Sequence, residues 1–185
     1  MKTILSLCDY TGNWAKPWAE NGWEVVQVDI QHGQDVILLP HLNRRVDGIL
    51  AAPPCTHFAR SGAQYWESKG EAALREGLAV VDACLRAVAI YNPRFWALEN
   101  PIGRLKDFLG EPTYKFDPCD FGDPWTKRTW LWGRFVVPMP LWAPQAERVT
   151  PTMGDITTKG SNCKNRRSAT PMGFSLAFYQ ANHAA

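Results

Sequence analysis

A chain of 185 residues, 45% of them hydrophobic, is long enough for one domain with a substantial core and too short for two comfortable ones. Its formal net charge of +2 offers no electrostatic argument for a nucleic-acid partner, and the local basic cluster Lys159, Lys164, Arg166 and Arg167 reads on charge alone as a solvated loop. Five cysteines without CxxC spacing point to reduced thiols in a cytoplasmic protein, and away from a disulfide framework or a zinc site. The apolar run Ile4 to Cys8 is too short for a signal peptide or a membrane span, so no membrane partner is expected.

In chain order, Thr3 to Cys8 reads as a buried strand, Trp14 to Asn21 as a short helix ended by Gly22, and Glu24 to Ile30 as a second strand closing on Asp29. That is a βαβ unit. A weaker extended segment follows at Val36 to Leu39, then a third strand at Val46 to Ala51. Ser68-Lys69-Gly70-Glu71 has the form of a capping box opening a helix whose Leu74, Leu78, Val81, Leu85 and Val88 make one stripe that must face a sheet. Further strands are predicted at Arg94 to Leu98 and Arg128 to Val137, an irregular excursion over 138–166, and a terminal helix at Phe174 to Asn182. Helices alternating with strands imply one domain over 1–185 built on an open, mainly parallel α/β sheet.

In such sheets ligands bind at the carboxyl ends of the strands, and the polar residues here fall there. The first strand ends in Cys8-Asp9-Tyr10-Thr11-Gly12-Asn13, the second in Val28-Asp29, the third in Pro53-Pro54-Cys55, and the next in Glu99-Asn100-Pro101. Asp29 is either an ordinary strand-end cap or an acceptor for two ribose hydroxyls; the surrounding pattern favours ribose. Two prolines cannot continue a sheet ladder, so Cys55 is displayed on a rigid loop. Cys84, on the apolar stripe, reads as core, and His57 as a loop residue.

These motifs resemble, in order, those of the DNA cytosine-5 methyltransferases, over most of the chain except 138–166. Ser6 to Trp14 is similar to the family's cofactor-binding turn, Pro53-Pro54-Cys55 to its catalytic motif, and Glu99-Asn100-Pro101 to its Glu-Asn-Val. Pro124 to Arg128 stands in place of Gln-x-Arg-x-Arg and retains the final arginine; the segment from Arg167 to Phe178 is similar to the closing segment of compact phage-type members, which packs back against the cofactor side. The resemblance implies a Rossmann-like fold that binds S-adenosylmethionine through Cys8, Asp9, Tyr10, Gly12, Asn13, Asp29, Ile30, Asp35, Val36 and Pro53. It further implies a substrate site at Pro53, Thr56, Asn100 and Arg128, with Cys55, Glu99 and Arg128 catalytic and no metal.

Those residue types suit the chemistry. Cytosine C5 is a poor nucleophile until a thiolate adds at C6, which assigns Cys55 as nucleophile. A protonated Glu99 would neutralise charge developing at N3, while Arg128 would clamp the base carbonyl or favour the Cys55 thiolate. The chain departs from the family at Tyr10 (usually Gly), Cys8 (usually Phe), Thr56 (usually Gln) and Ala59 (usually Ser), and lacks room for a full target-recognition domain. The implied partner is therefore cytosine-containing DNA, single-stranded or distorted rather than regular duplex. Two alternatives stand beside this: methylation of free cytidine nucleotides, and a catalytically silent protein that keeps the cofactor fold.

Overall fold

The structure is a computed structural model, which describes residues 1–140 and 168–184. From residue 141 the expected excursion lies outside the described residues, as do the basic cluster Lys159, Lys164, Arg166 and Arg167 and the thiol Cys163.

Six strands form one sheet: β1 (Thr3–Leu7), β2 (Glu24–Val28), β3 (Gly48–Ala51), β4 (Phe95–Pro101), β5 (Tyr114–Phe116) and β6 (Thr129–Arg134), in the order β2-β1-β3-β4-β6-β5. β1 pairs in parallel with β2 and β3, and β3 with β4; β6 runs antiparallel to both β4 and β5. This is the expected open, mainly parallel α/β sheet of Rossmann-like type. β1 is buried at every position, which explains why it reads as a continuous apolar run and not as an alternation.

Among the described residues, four α-helices accompany the sheet: α1 (Lys16–Glu20), α2 (Trp66–Tyr91), α3 (Lys106–Leu109) and α4 (Met172–Asn182). One face packs Leu5, Leu7, Ile49, Ala51 and Leu98 against Val81, Cys84 and Ala87 of α2. The other packs Ile4, Leu50, Phe95 and Ala97 against Trp14 and Trp18 around α1 and against Phe174 and Phe178 of α4. The expected stripe on α2 does face the sheet, centred on Gly77, Val81, Cys84 and Ala87, with Leu74, Leu78, Leu85 and Val88 flanking it.

Three local expectations change. Val36–Leu38 is a 3-10 turn capped by Asp35, whose carboxylate accepts from the Ile37 amide at 2.9 Å; a carboxylate before a short apolar run caps a turn as readily as it ends a strand. The capping box does not form. The helix is broken at Gly70, whose φ of 69° lies in the left-handed region, while Ser68 Oγ donates to the Tyr65 carbonyl and Glu71 pairs with Arg75 four residues on. Finally, the hairpin strand β5 carries only three residues, too few for a pattern in the sequence.

Phe174 is fully buried and stacks on Phe116 at 4.1 Å, joining α4 to the antiparallel end of the sheet. Phe174→Ala is expected to cost about 3 to 5 kcal/mol of stability, the range for truncating a buried phenylalanine. Urea denaturation measures it, and a loss below about 1 kcal/mol would show that α4 is not part of the cooperative core.

Candidate active site

The chain lays β2 on one side of β1 and β3 on the other, so a crevice opens at the carboxyl edge between them. The turn leaving β1 is tightly held. Cys8 sits at φ 58° and donates its amide to Val28 O at 2.8 Å. Asp9, almost fully buried, accepts from Ser6 Oγ (3.1 Å), Thr11 Oγ1 (3.3 Å), Trp14 N (3.1 Å) and Ala15 N (3.4 Å). It supplies the cap that the α1 N-terminus, Ala15, lacks. Burial pushes the Asp9 carboxyl above its ordinary value, against the pull of those hydrogen bonds. Gln27 Nε2 donates to the Asp9 and Tyr10 carbonyls, and the Gly12 amide closes the turn onto Asp9 O. Tyr10 leans on His32, ring centroids 5.1 Å apart, while Asn13 Nδ2 donates to Thr170 O, joining this turn to the closing segment.

At the end of β2, Asp29 is buried and its Oδ1 accepts from Gln31 N at 2.8 Å, capping the turn Ile30–His32. Its Oδ2 takes no hydrogen bond among the described residues, so a cap and a further acceptor coexist in one carboxylate. Ile30 beside it is 66% exposed, an unusual place for an isoleucine. Asp35 is spent on its own turn, and Val36 is buried in the core against α2.

Beyond β3, Pro53 is buried, Pro54 exposed, and Cys55, half-buried, opens the turn Cys55–His57. The loop is clamped from several sides. Asn100 Nδ2 donates to Pro53 O (2.9 Å), Lys69 Nζ to Thr56 O (3.0 Å), and Arg104 Nε to His57 O (2.8 Å). Gly103 lies so close that a Cβ there would stand 1.9 Å from Phe58 O, and Phe58 itself presses on Gly77 of α2. Burial, then the ammonium of Lys69, lowers the His57 pKa from its ordinary value.

On β4, Glu99 and Asn100 are both buried. Asn100 was expected at the substrate; instead it is inaccessible and its amide braces the Cys55 loop. Glu99 Oε1 is sealed from solvent, accepts no hydrogen bond, and stands 3.7 Å from Lys127 Nζ. Arg128 does not meet it. Its side chain is 66% exposed and its Nε lies 3.6 Å from Asp117 Oδ2. The structure thus gathers the Cys8–Asn13 turn, Asp29, Cys55, Glu99 and Asn100 along one edge, and leaves Arg128 turned away. Lys127, Gln27 and Arg104 escaped the sequence reading; adjacency to Arg128 was the one signal for Lys127.

No protein-family model and no curated protein matches the chain. Among solved structures it matches a crystal structure described as that of a candidate DNA modification methyltransferase encoded within a prophage of E. coli. The TM-score is 0.52, with 19% sequence identity, over 84% of this chain and 54% of that one. The two share a fold. The chain spans about half the length of that structure.

The burial of Asp9 has a sign that titration reads. A carboxyl raised in the folded state adds stability below its ordinary value of 3.8, and that contribution is lost as pH rises through the raised value. The stability advantage of the wild type over Asp9→Asn should therefore narrow as pH rises from below 3.8 towards neutrality, measured by urea denaturation at fixed ionic strength. A constant gap would contradict the burial.

Proposed function

We propose that the chain is an S-adenosylmethionine-dependent methyltransferase acting on C5 of cytosine in DNA. The observation that carries this reading is the Asn100 to Pro53 hydrogen bond of 2.9 Å, which fastens the thiol-bearing loop of β3 to the strand that presents Glu99. The loop that carries the proposed nucleophile follows β3, the proposed acid lies on its parallel neighbour β4, and the solved structure of shared fold is described as a candidate DNA modification methyltransferase, which supports the class.

The residues present fit the cofactor. Asp29 keeps one carboxylate oxygen for ribose hydroxyls, and exposed Ile30 offers an apolar face to a purine. When bound, S-adenosylmethionine supplies an electrophilic methyl group. The chain's own residues prepare the base: the Cys55 thiolate forms a bond to C6, Glu99 gives a proton to N3 as charge develops there, and C5 becomes nucleophilic. After transfer, loss of the C5 proton expels the thiolate. Asp9 and Asn100 hold geometry and touch no substrate; Asp35 serves its own turn.

Two experiments test this. Asp29→Ala is expected to weaken S-adenosylmethionine binding by about 1 to 3 kcal/mol, the loss of hydrogen bonds to a charged group, read by calorimetry. An unchanged dissociation constant removes the ribose assignment. Separately, an oligonucleotide bearing 5-fluorocytosine cannot lose a C5 proton, so wild type with S-adenosylmethionine should be trapped as a covalent adduct visible by mass spectrometry. Cys55→Ser should form none, since a hydroxyl is far less ionised than a thiol, and Glu99→Gln should form it slowly. Radiolabel transfer compared on DNA, RNA and dCMP separates the DNA reading from a free-nucleotide enzyme, and transfer to none of them leaves the silent cofactor-fold protein.

A further inference from the structure

The cation beside the candidate acid is a lysine. We propose that Lys127, and not Arg128, supplies the positive charge against which Glu99 works, so that Lys127 is a positioning residue for proton transfer to the base. The proposal rests on the cytosine reading for its substrate.

Three observations carry it. Lys127 Nζ lies 3.7 Å from Glu99 Oε1, with the two side chains only 15% and 6% exposed, and it is the one cation in ion-pair range of Glu99 among the described residues. Glu99 Oε1 accepts no hydrogen bond, so the ammonium faces an acceptor that nothing else satisfies. The chain direction is also pinned: Thr129 Oγ1, fully buried, donates to Lys127 O at 2.6 Å, and the Ile102 amide donates to Arg128 O at 2.9 Å. Successive residues of extended chain point to opposite sides, so turning Lys127 inward sends Arg128 out to Asp117.

The chemistry follows. As the sulfur–C6 bond forms, the C5–C6 π electrons move into the ring and N3 takes the proton of Glu99. The carboxylate left behind faces the ammonium, whose charge stabilises it by Coulomb attraction. On elimination the proton returns to the carboxylate. The other titratable groups at this edge among the described residues include Cys55 and His57 on the loop after β3, Lys69 and Arg104 that hold that loop's carbonyls, and Arg128 with its partner Asp117; burial, then Lys69, lowers the His57 pKa.

The test has two arms. In the full-length chain carrying carbon-13 glutamate, with Glu99→Gln for assignment, the Glu99 carboxyl should titrate about one pH unit or more higher in Lys127→Met than in wild type, and move much less in Arg128→Ala. In methyl transfer, Lys127→Met should lower kcat about tenfold or more with KM changed under threefold, and carry the alkaline limb of the pH profile upward; Lys127→Arg should restore the limb. If Lys127→Met does not fold, by circular dichroism, Lys127→Gln takes its place. An unmoved Glu99 titration, or a larger change in Arg128→Ala, overturns the proposal. If wild type methylates no cytosine substrate, the functional reading falls by itself and the glutamate titration still decides the pairing.

Discussion

The candidate site depends on the parallel register of β3 against β4. Gly48 pairs with Phe95, and a Cβ on Gly48 would lie 2.2 Å from the Phe95 ring, so this pairing exists because the glycine leaves space. Phe95 in turn stacks on Trp18 at 5.0 Å on the α1 face of the sheet. A slip of one residue would turn every β4 side chain to the opposite face, exchanging buried Leu98 for Glu99. With the register fixed, Ala51 lies opposite Leu98, β3 stops at its prolines, and β4 continues to Pro101. The three residues by which β4 outruns β3, Glu99, Asn100 and Pro101, set Glu99 and Asn100 beside the exit of the thiol-bearing loop.

The loop is then made rigid from outside. Asn100, Lys69 and Arg104 each take one of its carbonyls, and Gly103 and Gly77 let the main chain approach where a side chain would collide. A loop held this way keeps Cys55 in one place, so that under the proposed mechanism the thiol would lose little entropy on meeting a ring carbon. The break in α2 at Gly70 belongs to the same construction, since it follows directly on Lys69, whose ammonium reaches Thr56 O.

Much of this was legible before the fold. Strands that are buried on both faces declare themselves as apolar runs, and the polar residues after them fall at the carboxyl edge by topology, which is why Asp29, Cys55 and Glu99 lie at strand ends as expected. Three things were not legible, for distinct reasons. Asp35 and Val36 sit in a 3-10 turn, because a cap and a strand end share one signature. Asn100 is a brace because its amide meets a carbonyl 47 residues away, a distance no local pattern encodes. Lys127 turns inward and Arg128 outward because the phase of an extended segment is set by its antiparallel neighbour β4, and a motif of alternate cations gives spacing without phase.

Two buried carboxylates on the same sheet are held in very different ways. Asp47 lies at the amino edge of the sheet and is fully served: Thr3 N donates to it at 3.0 Å, and Arg45 and Arg94 stand at 3.1 and 3.8 Å. It ties the starts of β1, β3 and β4 together. Glu99, at the carboxyl edge of the same sheet, is as deeply buried, yet its Oε1 accepts nothing and faces a lysine beyond hydrogen-bonding reach. A buried charge pair held only by Coulomb attraction returns less than its desolvation costs, and an apolar pair of equal volume would often be the more stable choice. Stability therefore explains Asp47 and does not explain Glu99. An acid left unsatisfied beside a largely buried ammonium fits the proposed proton transfer to the base, and it sits on the edge where a sheet of this topology receives its ligand.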